Sequence, residues 1–300
     1  HLYVRGELGP AIGYFMQVIS LAEKLGLEEL LMVPYNIMAR VFVLSGDLPK
    51  ALPMMLKAIP LAEKYRDLEM LSGSLAYHAL ICVFQGNLEE SRQIFERATA
   101  VGQELGHPSR LAGNMTILGC AYSIAGLPDE SDDLLKRSQV IAEQTHDQQI
   151  IYMNTGSMGY NQTLYGHYET ARDYLDRALQ TAEKNRWGLY IGLFSVYRAE
   201  VELLLGNLEQ AMTRAQAALA LSQAGSQKTA VGEAQRVMAK IHMRQQQWAE
   251  AESALLSAIH ILEEITMPSP AAICKYELAQ VYRALGQPEK ARMMLAAALA

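Results

Sequence analysis

Arg236 and Lys240 stand four residues apart, so on a helix they share one face and make it positive, although a pair confined to one repeat disfavours a carboxylate clamp spread over several. Arg283 extends the same positive end further along the chain. Beyond this pair the sequence offers little chemistry. It has no Gly-x-x-x-x-Gly-Lys-Ser/Thr loop, no His-Glu-x-x-His and no Cys-x-x-Cys. Its seven histidines are dispersed, and no two have metal-ligand spacing on one helix. His146-Asp147 has the form of a hydrolase dipeptide, but the corresponding places elsewhere hold Arg66-Asp67 and Arg186-Trp187, which makes it a turn. The acidic doublets Glu89-Glu90, Asp132-Asp133 and Glu263-Glu264 lack a partner for acid–base work and suit helix N-termini or solvated faces. Cys82 reads as a core thiol and Cys120 as an accessible one. No catalytic residue, metal site or cofactor is expected.

The elements that must position these residues follow a strict beat. Gly6, Gly46, Gly86, Gly126, Gly166, Gly206 and Gly286 recur every forty residues, with Gln246 on the missing beat. Seven residues before each marker stands a small residue, as in Ala39, Ala79, Gly119 and Ala279. Further small residues follow at five and twelve after it, such as Ala51 and Ala58 or Ser131 and Ser138. Small side chains let two helix backbones approach, and a larger one would overpack the contact by roughly 1–3 kcal/mol. Larger apolar residues fall between them at helical spacing, as in Leu48, Leu52, Met55 and Ile59. Gly46-Asp47, Gly86-Asn87 and Gly206-Asn207 read as breaks, with glycine ending one helix and Asp or Asn capping the next. Each unit is therefore helix A, a tight turn and helix B, and a period of this length means a stacked repeat array.

These columns resemble the tetratricopeptide repeat. Ala39, Phe42, Gly46, Ala51, Met55 and Ala58 fall on its signature positions, as do Gly119, Tyr122, Gly126, Ser131, Leu135 and Ser138. Ala279, Tyr282, Gly286, Ala291, Leu295 and Ala298 repeat the set. The family's tryptophan is missing from several A helices, where Thr155, Ser195, Gln235 and Lys275 stand, and the unit is longer, with the extra residues in helix B. Forty-residue units of this kind are similar to the C-terminal arms of bacterial signal-transduction ATPases, transcription activators and ATPase-linked cyclases. The resemblance implies an all-α, right-handed superhelical solenoid of antiparallel helix pairs, with A helices on its concave face.

Residues 1–300 are expected to form a single array, with an orphan helix B at 7–26 and then seven pairs, the last truncated, as a segment of a larger protein. Net charge is −6 and no Lys/Arg block stands out, which disfavours nucleic acid as a partner. Stretches 111–128 and 148–168 are uncharged but carry Gly, Asn, Thr or Gln throughout, so no membrane span is expected. Three scattered cysteines suit a cytoplasmic protein without disulfides.

Charge is divided unequally between the two helices of a unit. Residues 70–88, 111–128 and 148–168 hold no Asp, Glu, Lys or Arg, while the B helices carry most of the charge. By the resemblance, the concave groove presents Ala76, Leu80 and Val83, then Thr116, Cys120 and Ser123, then Met153, Gly156, Tyr160 and Thr163. Arg236 and Lys240 mark its positive end, so a ligand with an apolar middle and an acidic end would complement it. The expected function is a non-enzymatic module that binds a protein or peptide segment, as a sensor or scaffold arm of a bacterial signalling protein. Arginine at Thr116 or Gly156 would then block binding and leave the helices intact. Two alternatives stay open: the neutral stripe packs internally or against another domain of the same polypeptide, or the solenoid senses a small-molecule inducer.

Overall fold

A computed structural model describes residues 8–188 and 190–299 of the chain. The chain opens with α1 (Leu8–Leu25) and one 3-10 turn (Glu28–Leu31). Three helix pairs follow: α2 (Met32–Ser45) with α3 (Leu48–Lys64), α4 (Leu68–Phe84) with α5 (Leu88–Leu105), and α6 (Pro108–Ile124) with α7 (Pro128–Gln144). Next come α8 (Gln148–Leu164) with α9 (Tyr168–Asn185) and α10 (Ile191–Leu204) with α11 (Leu208–Ala224). The last pairs are α12 (Lys228–Arg244) with α13 (Trp248–Glu264) and α14 (Pro268–Ala284) with α15 (Pro288–Leu299). No strand occurs among the described residues. From α2 onward the even-numbered helices are the A helices and the odd-numbered ones their B partners. Gly6 lies outside the described residues.

The marker column ends each A helix as its type requires. Gly46 sits at φ +82°, and the next N–H, that of Asp47, bonds back to the Phe42 carbonyl at 2.7 Å. Gln246 takes φ +59° at the same turn. The expected capping of the B helices is not made by side chains: Asp47, Asn87 and Asn207 donate or accept no cap bond. Asp47 instead pairs with Lys50 at 2.6 Å, and Asn207 donates to Glu202 at 2.6 Å. The side-chain caps lie at the other turn, where Asp67 accepts from the Met70 N–H at 2.9 Å and Asp147 from that of Ile150 at 3.1 Å.

The small-residue columns form the seam between the helices of a pair. Ala39, Ala51 and Ala58 are fully buried. Where serine replaces alanine, its hydroxyl crosses the seam: Ser91 donates to the Ala79 carbonyl and Ser131 to that of Gly119, both at 2.8 Å. Successive A helices also touch one another (α2 with α4, α4 with α6, α6 with α8, α10 with α12), whereas no two B helices make comparable contact among the described residues. Elements in contact on the inside and splayed on the outside generate curvature, so the A helices lie at the inner radius.

The curvature closes the array on itself. A Cβ built on Gly46 would lie 3.1 Å from Ile265 Cδ1 and Thr229 Oγ1 and 3.2 Å from Lys228 Cβ. The first and sixth A helices, α2 and α12, are thus neighbours across one superhelical turn. The Lys50–Asp47 pair and the Lys228–Glu264 pair (2.6 Å) meet at this seam. One apolar cluster accordingly joins residues of both chain halves, from Ile19 and Met38 to Ile265 and Met267.

Candidate functional site

The uncharged A helices carry their Asn, Ser and Thr for a reason the residue types alone do not disclose: those side chains bond to one another from repeat to repeat. Asn36 donates to Ser74 at 2.7 Å and Asn114 to Ser72 at 2.6 Å. Thr116 donates to Asn154 Oδ1 at 2.8 Å and lies 2.7 Å from Ser138 Oγ, which is also bonded by Asn154 Nδ2 at 3.1 Å. Ser123 donates to Asn161 Oδ1 at 2.7 Å, and Asn161 Nδ2 reaches both Ser131 (2.9 Å) and Asp132 (2.7 Å). All of these A-helix groups are buried. A buried polar group needs a partner or costs free energy, and here neighbouring repeats supply most of these partners, the Asn114 Oδ1 being left without one among the described residues.

The expected groove is therefore not an open surface. Ala76, Leu80, Val83, Thr116, Cys120, Ser123, Met153, Gly156, Tyr160, Thr163 and Arg236 are all buried, and of the expected set only Lys240 is part-exposed. Gly156 lies against the next repeat so tightly that a built Cβ would be 2.2 Å from Phe194 Cε2. Tyr160 stacks on Tyr197 with centroids 3.6 Å apart and planes at 10°. Burial pushes both phenols well above their usual range. Cys120, expected to be accessible, is buried beside Ser157, and its thiol is pushed up to about 12. Arginine at Thr116 or Gly156 would thus disrupt packing and cannot report on binding alone.

The expected positive end is neutralised from within. Arg236 donates to both oxygens of Glu200 (3.2 and 3.1 Å), to Glu233 (2.9 Å) and to Glu277 (3.2 Å), and Lys240 also pairs with Glu200. Three carboxylates from α10, α12 and α14 thus surround two cations. Burial alone would raise the Glu200 carboxyl, but Arg236 and Lys240 outweigh it and hold it at about 2. Glu277 goes the other way: burial dominates and its pKa rises. Its Oε2 accepts no hydrogen bond among the described residues. A second buried pair, Arg198 with Glu202, is tied to Asp176 at 2.7 Å.

Inside the ring, Leu80, Phe84, Cys120 and Ile124 face Tyr190, Leu193, Thr229 and Ala230 around a cavity of about 50 Å³. That holds a few waters at most. A depression of about 250 Å³ forms a mouth at the N-terminal ends of α6 and α8. Arg40, Tyr77, His107 and Arg110 rim it, Thr116, Ile117, Ile150 and Met153 line it, and Gly113 leaves its floor open. Nothing lies nearer than Ile150 Cδ1, at 3.8 Å, to a Cβ built on Gly113. Arg40 lies over the Tyr77 ring at 5.1 Å, and Arg110 pairs with Glu69. Thr116 and Met153 are the expected groove residues that reach this mouth. Arg40, Tyr77 and Arg110 were not legible as site residues, because they come from three different A helices.

His146 and Asp147 form a turn, with His146 at φ +56° and Asp147 capping α8. One constellation of mixed ligands lies on the α4–α5 pair: His78, Cys82 and Glu90 hold an imidazole nitrogen, a thiol and a carboxylate oxygen within 4.8 Å of one another. His-x-x-x-Cys on one helix was the signal available in the sequence. No described helix is long and apolar enough to cross a membrane.

Residues 230–300 match the tetratricopeptide repeat family model. No curated protein matches the chain by sequence. Among solved structures, a Rap protein complexed with competence and sporulation factor superposes with a TM-score of 0.63 at 13% identity, covering 98% of this chain and 97% of its own. NprR in complex with its cognate peptide NprX gives 0.59 at 15% identity, covering 84% and 76%. A signal transduction ATPase with numerous domains and a tetratricopeptide repeat sensor, from Pyrococcus horikoshii, gives 0.57 at 14% identity; the match covers 94% of this chain and 45% of the ATPase. The likeness at these identities is one of fold: the chain is a tetratricopeptide-like repeat solenoid.

Proposed function

We propose that this tetratricopeptide-like solenoid is a non-catalytic interaction module that takes a peptide segment at the mouth of its concave channel, as the sensor or scaffold arm of a bacterial signalling protein. The observation that carries the reading is the mouth itself, a depression of mixed polarity with Gly113 in its lining, where the three bases Arg40, His107 and Arg110 outnumber the one acid, Asp147. Such a site suits a peptide with an apolar side chain beside a carboxylate. The fold agrees with it, since NprR, similar in architecture, is known in complex with its cognate peptide, and a Rap protein in complex with competence and sporulation factor. The inducer-sensing alternative is weaker, because the inner cavity of about 50 Å³ is far below the roughly 300–1,000 Å³ of small-molecule sites.

A displayed random-peptide library selected on the wild-type protein tests the reading. Gly113→Leu sets an apolar side chain in the depression, and its Cβ has room, with nothing nearer than Ile150 Cδ1 at 3.8 Å. Selected peptides carrying an apolar residue next to an acid are expected to lose at least about tenfold in affinity for that variant, or about 1.4 kcal/mol. Failure to select any peptide, or equal binding by both proteins, would remove the mouth as the site.

A further inference from the structure

We propose that His78, Cys82 and Glu90 form a binding site for a single divalent transition-metal ion of borderline softness, zinc being the best match. His78 and Cys82 stand one turn apart on α4 and therefore share a face. Glu90 is the third residue of α5 and reaches back across the tight turn at Gly86. Their donor atoms lie within 4.8 Å of one another. Tetrahedral zinc, with ligand bonds of about 2.0–2.3 Å, needs donors about 3.3–3.7 Å apart. The set must close by about 1 Å, a movement the exposed Glu90 side chain supplies by rotation. Three protein ligands of nitrogen, sulfur and oxygen type leave a fourth position for water.

The repeat pattern gives the independent argument. Four residues before the marker glycine the first and last pairs place an aromatic ring, and four residues after it a lysine. Lys50 Nζ lies 5.7 Å from the Phe42 ring and Lys290 Nζ 5.1 Å from that of Tyr282. In the α4–α5 pair those two positions are Cys82 and Glu90. The ring has become a thiol and the cation a carboxylate. The position eight before the marker, held by Met38, Leu118, Met158, Met238 and Leu278 elsewhere, is here His78. Arg198, the one other polar residue in that column, forms an ion pair with Glu202 one turn on. The α6–α7 and α12–α13 pairs also carry a glutamate four after the marker, Glu130 and Glu250, but join it to Leu118 and Tyr122 or to Met238 and His242, so the α4–α5 pair is the one that sets an imidazole, a thiol and a carboxylate at the three positions.

On binding, the Cys82 S–H bond breaks, its proton passes to solvent, and the thiolate electron pair forms the sulfur–metal bond as the ion sheds water. The ion would cross-link α4 to α5 and stabilise the pair by linkage.

Titration of the chelator-treated protein with Co²⁺, followed by competition with Zn²⁺, tests this. One equivalent is expected, with a thiolate-to-cobalt charge-transfer absorption that zinc abolishes. Cys82→Ser should eliminate that absorption, whereas Cys120→Ser and Cys274→Ser should keep it. Glu90→Gln, at an exposed position that cannot disturb the core, should weaken binding at least about tenfold. Absence of the absorption in wild type, its survival in Cys82→Ser, or unchanged affinity in Glu90→Gln would each overturn the site.

Discussion

Alanine at Gly156 tests whether the neutral stripe is packing or surface, and the size of the effect can be worked from the contact. A Cβ there would lie 2.2, 2.3 and 2.5 Å from three carbons of the Phe194 ring. Non-bonded carbons rest about 3.5–4.0 Å apart, so the ring must retreat by more than about 1 Å. It has little room. Phe194 is buried, edge-on to Tyr152 at 5.5 Å and near-parallel to Tyr190 at 6.0 Å. Overpacking of this kind costs about 1–3 kcal/mol, against which alanine returns about 1 kcal/mol of helix propensity. Gly113→Ala is the matched control: it lies inside α6 with nothing nearer than 3.8 Å and should gain about 1 kcal/mol. The two substitutions are thus expected to differ by about 1–3 kcal/mol in urea titrations followed by circular dichroism. Fluorescence of Trp187, whose ring lies 5.5 Å from that of Tyr152, gives a local readout in a Trp248→Phe background. In a Phe194→Leu background Gly156→Ala should become neutral or favourable, which ties the cost to that ring. If Gly156→Ala stabilises as much as Gly113→Ala does, the position faces open space and the argument for a closed interior fails.

Two other contacts make comparable predictions. The Glu200 pKa falls from 4.5 to about 2 on folding, so its stabilisation is present above pH 4.5 and lost as pH falls towards 2; Glu200→Gln should cost roughly 3 kcal/mol at pH 7, measured by denaturant titration. Glu277 is raised instead, so its contribution is present below pH 4.5 and lost as pH rises through its folded pKa; Glu277→Gln should stabilise the protein at pH 7 and leave it unaffected near pH 3. Gly46 and Gly86 share φ +82°, yet only Gly46 meets the opposite turn, at 3.1 Å, whereas Gly86 has nothing within 4 Å. Alanine at either pays the same backbone strain, and the excess cost of Gly46→Ala, expected near 1 kcal/mol by thermal denaturation, isolates the contact across the superhelical turn.

The helix pairs and their turns were legible in the sequence because they depend on contacts only a few residues away. A glycine four residues after Phe42 and a small residue at Ala51 declare a tight turn and a close seam whatever lies beyond. The concave stripe was legible in composition but not in meaning. Its lack of charge fits both a groove and a packed interior, and only the reciprocal bonds of Thr116 with Asn154 and Ser123 with Asn161 decide between them. Those partners lie nearly one period apart, so the Asn in one repeat reads as a ligand-facing amide unless its neighbour's hydroxyl is placed beside it. Arg236 and Lys240 misled for the same reason. Their spacing along α12 is visible, whereas the carboxylates that neutralise them arrive from α10 and α14.

Closure of the ring changes what kind of solenoid this is. In an open array each unit touches only its neighbours, and stability is close to a sum of repeat and interface terms. Here the α2–α3 turn rests on residues of the sixth pair, Thr229 and Ile265 among them, so the array carries a contact that no local unit contains. Opening the interior for a ligand would break that contact together with the Asn–Ser–Thr bonds between repeats, each of the latter worth about 1 kcal/mol and more if a buried partner is stranded. The mouth bounded by Arg40, Gly113 and Met153 needs none of this, since it lies open while the ring is shut. A partner at that mouth would lie against α2, α4, α6 and α8 at once, at Arg40, Tyr77, Gly113 and Gln149. Binding there would fix the relative angle of four successive A helices, and in a closed ring that angle cannot change without moving the seam at Gly46.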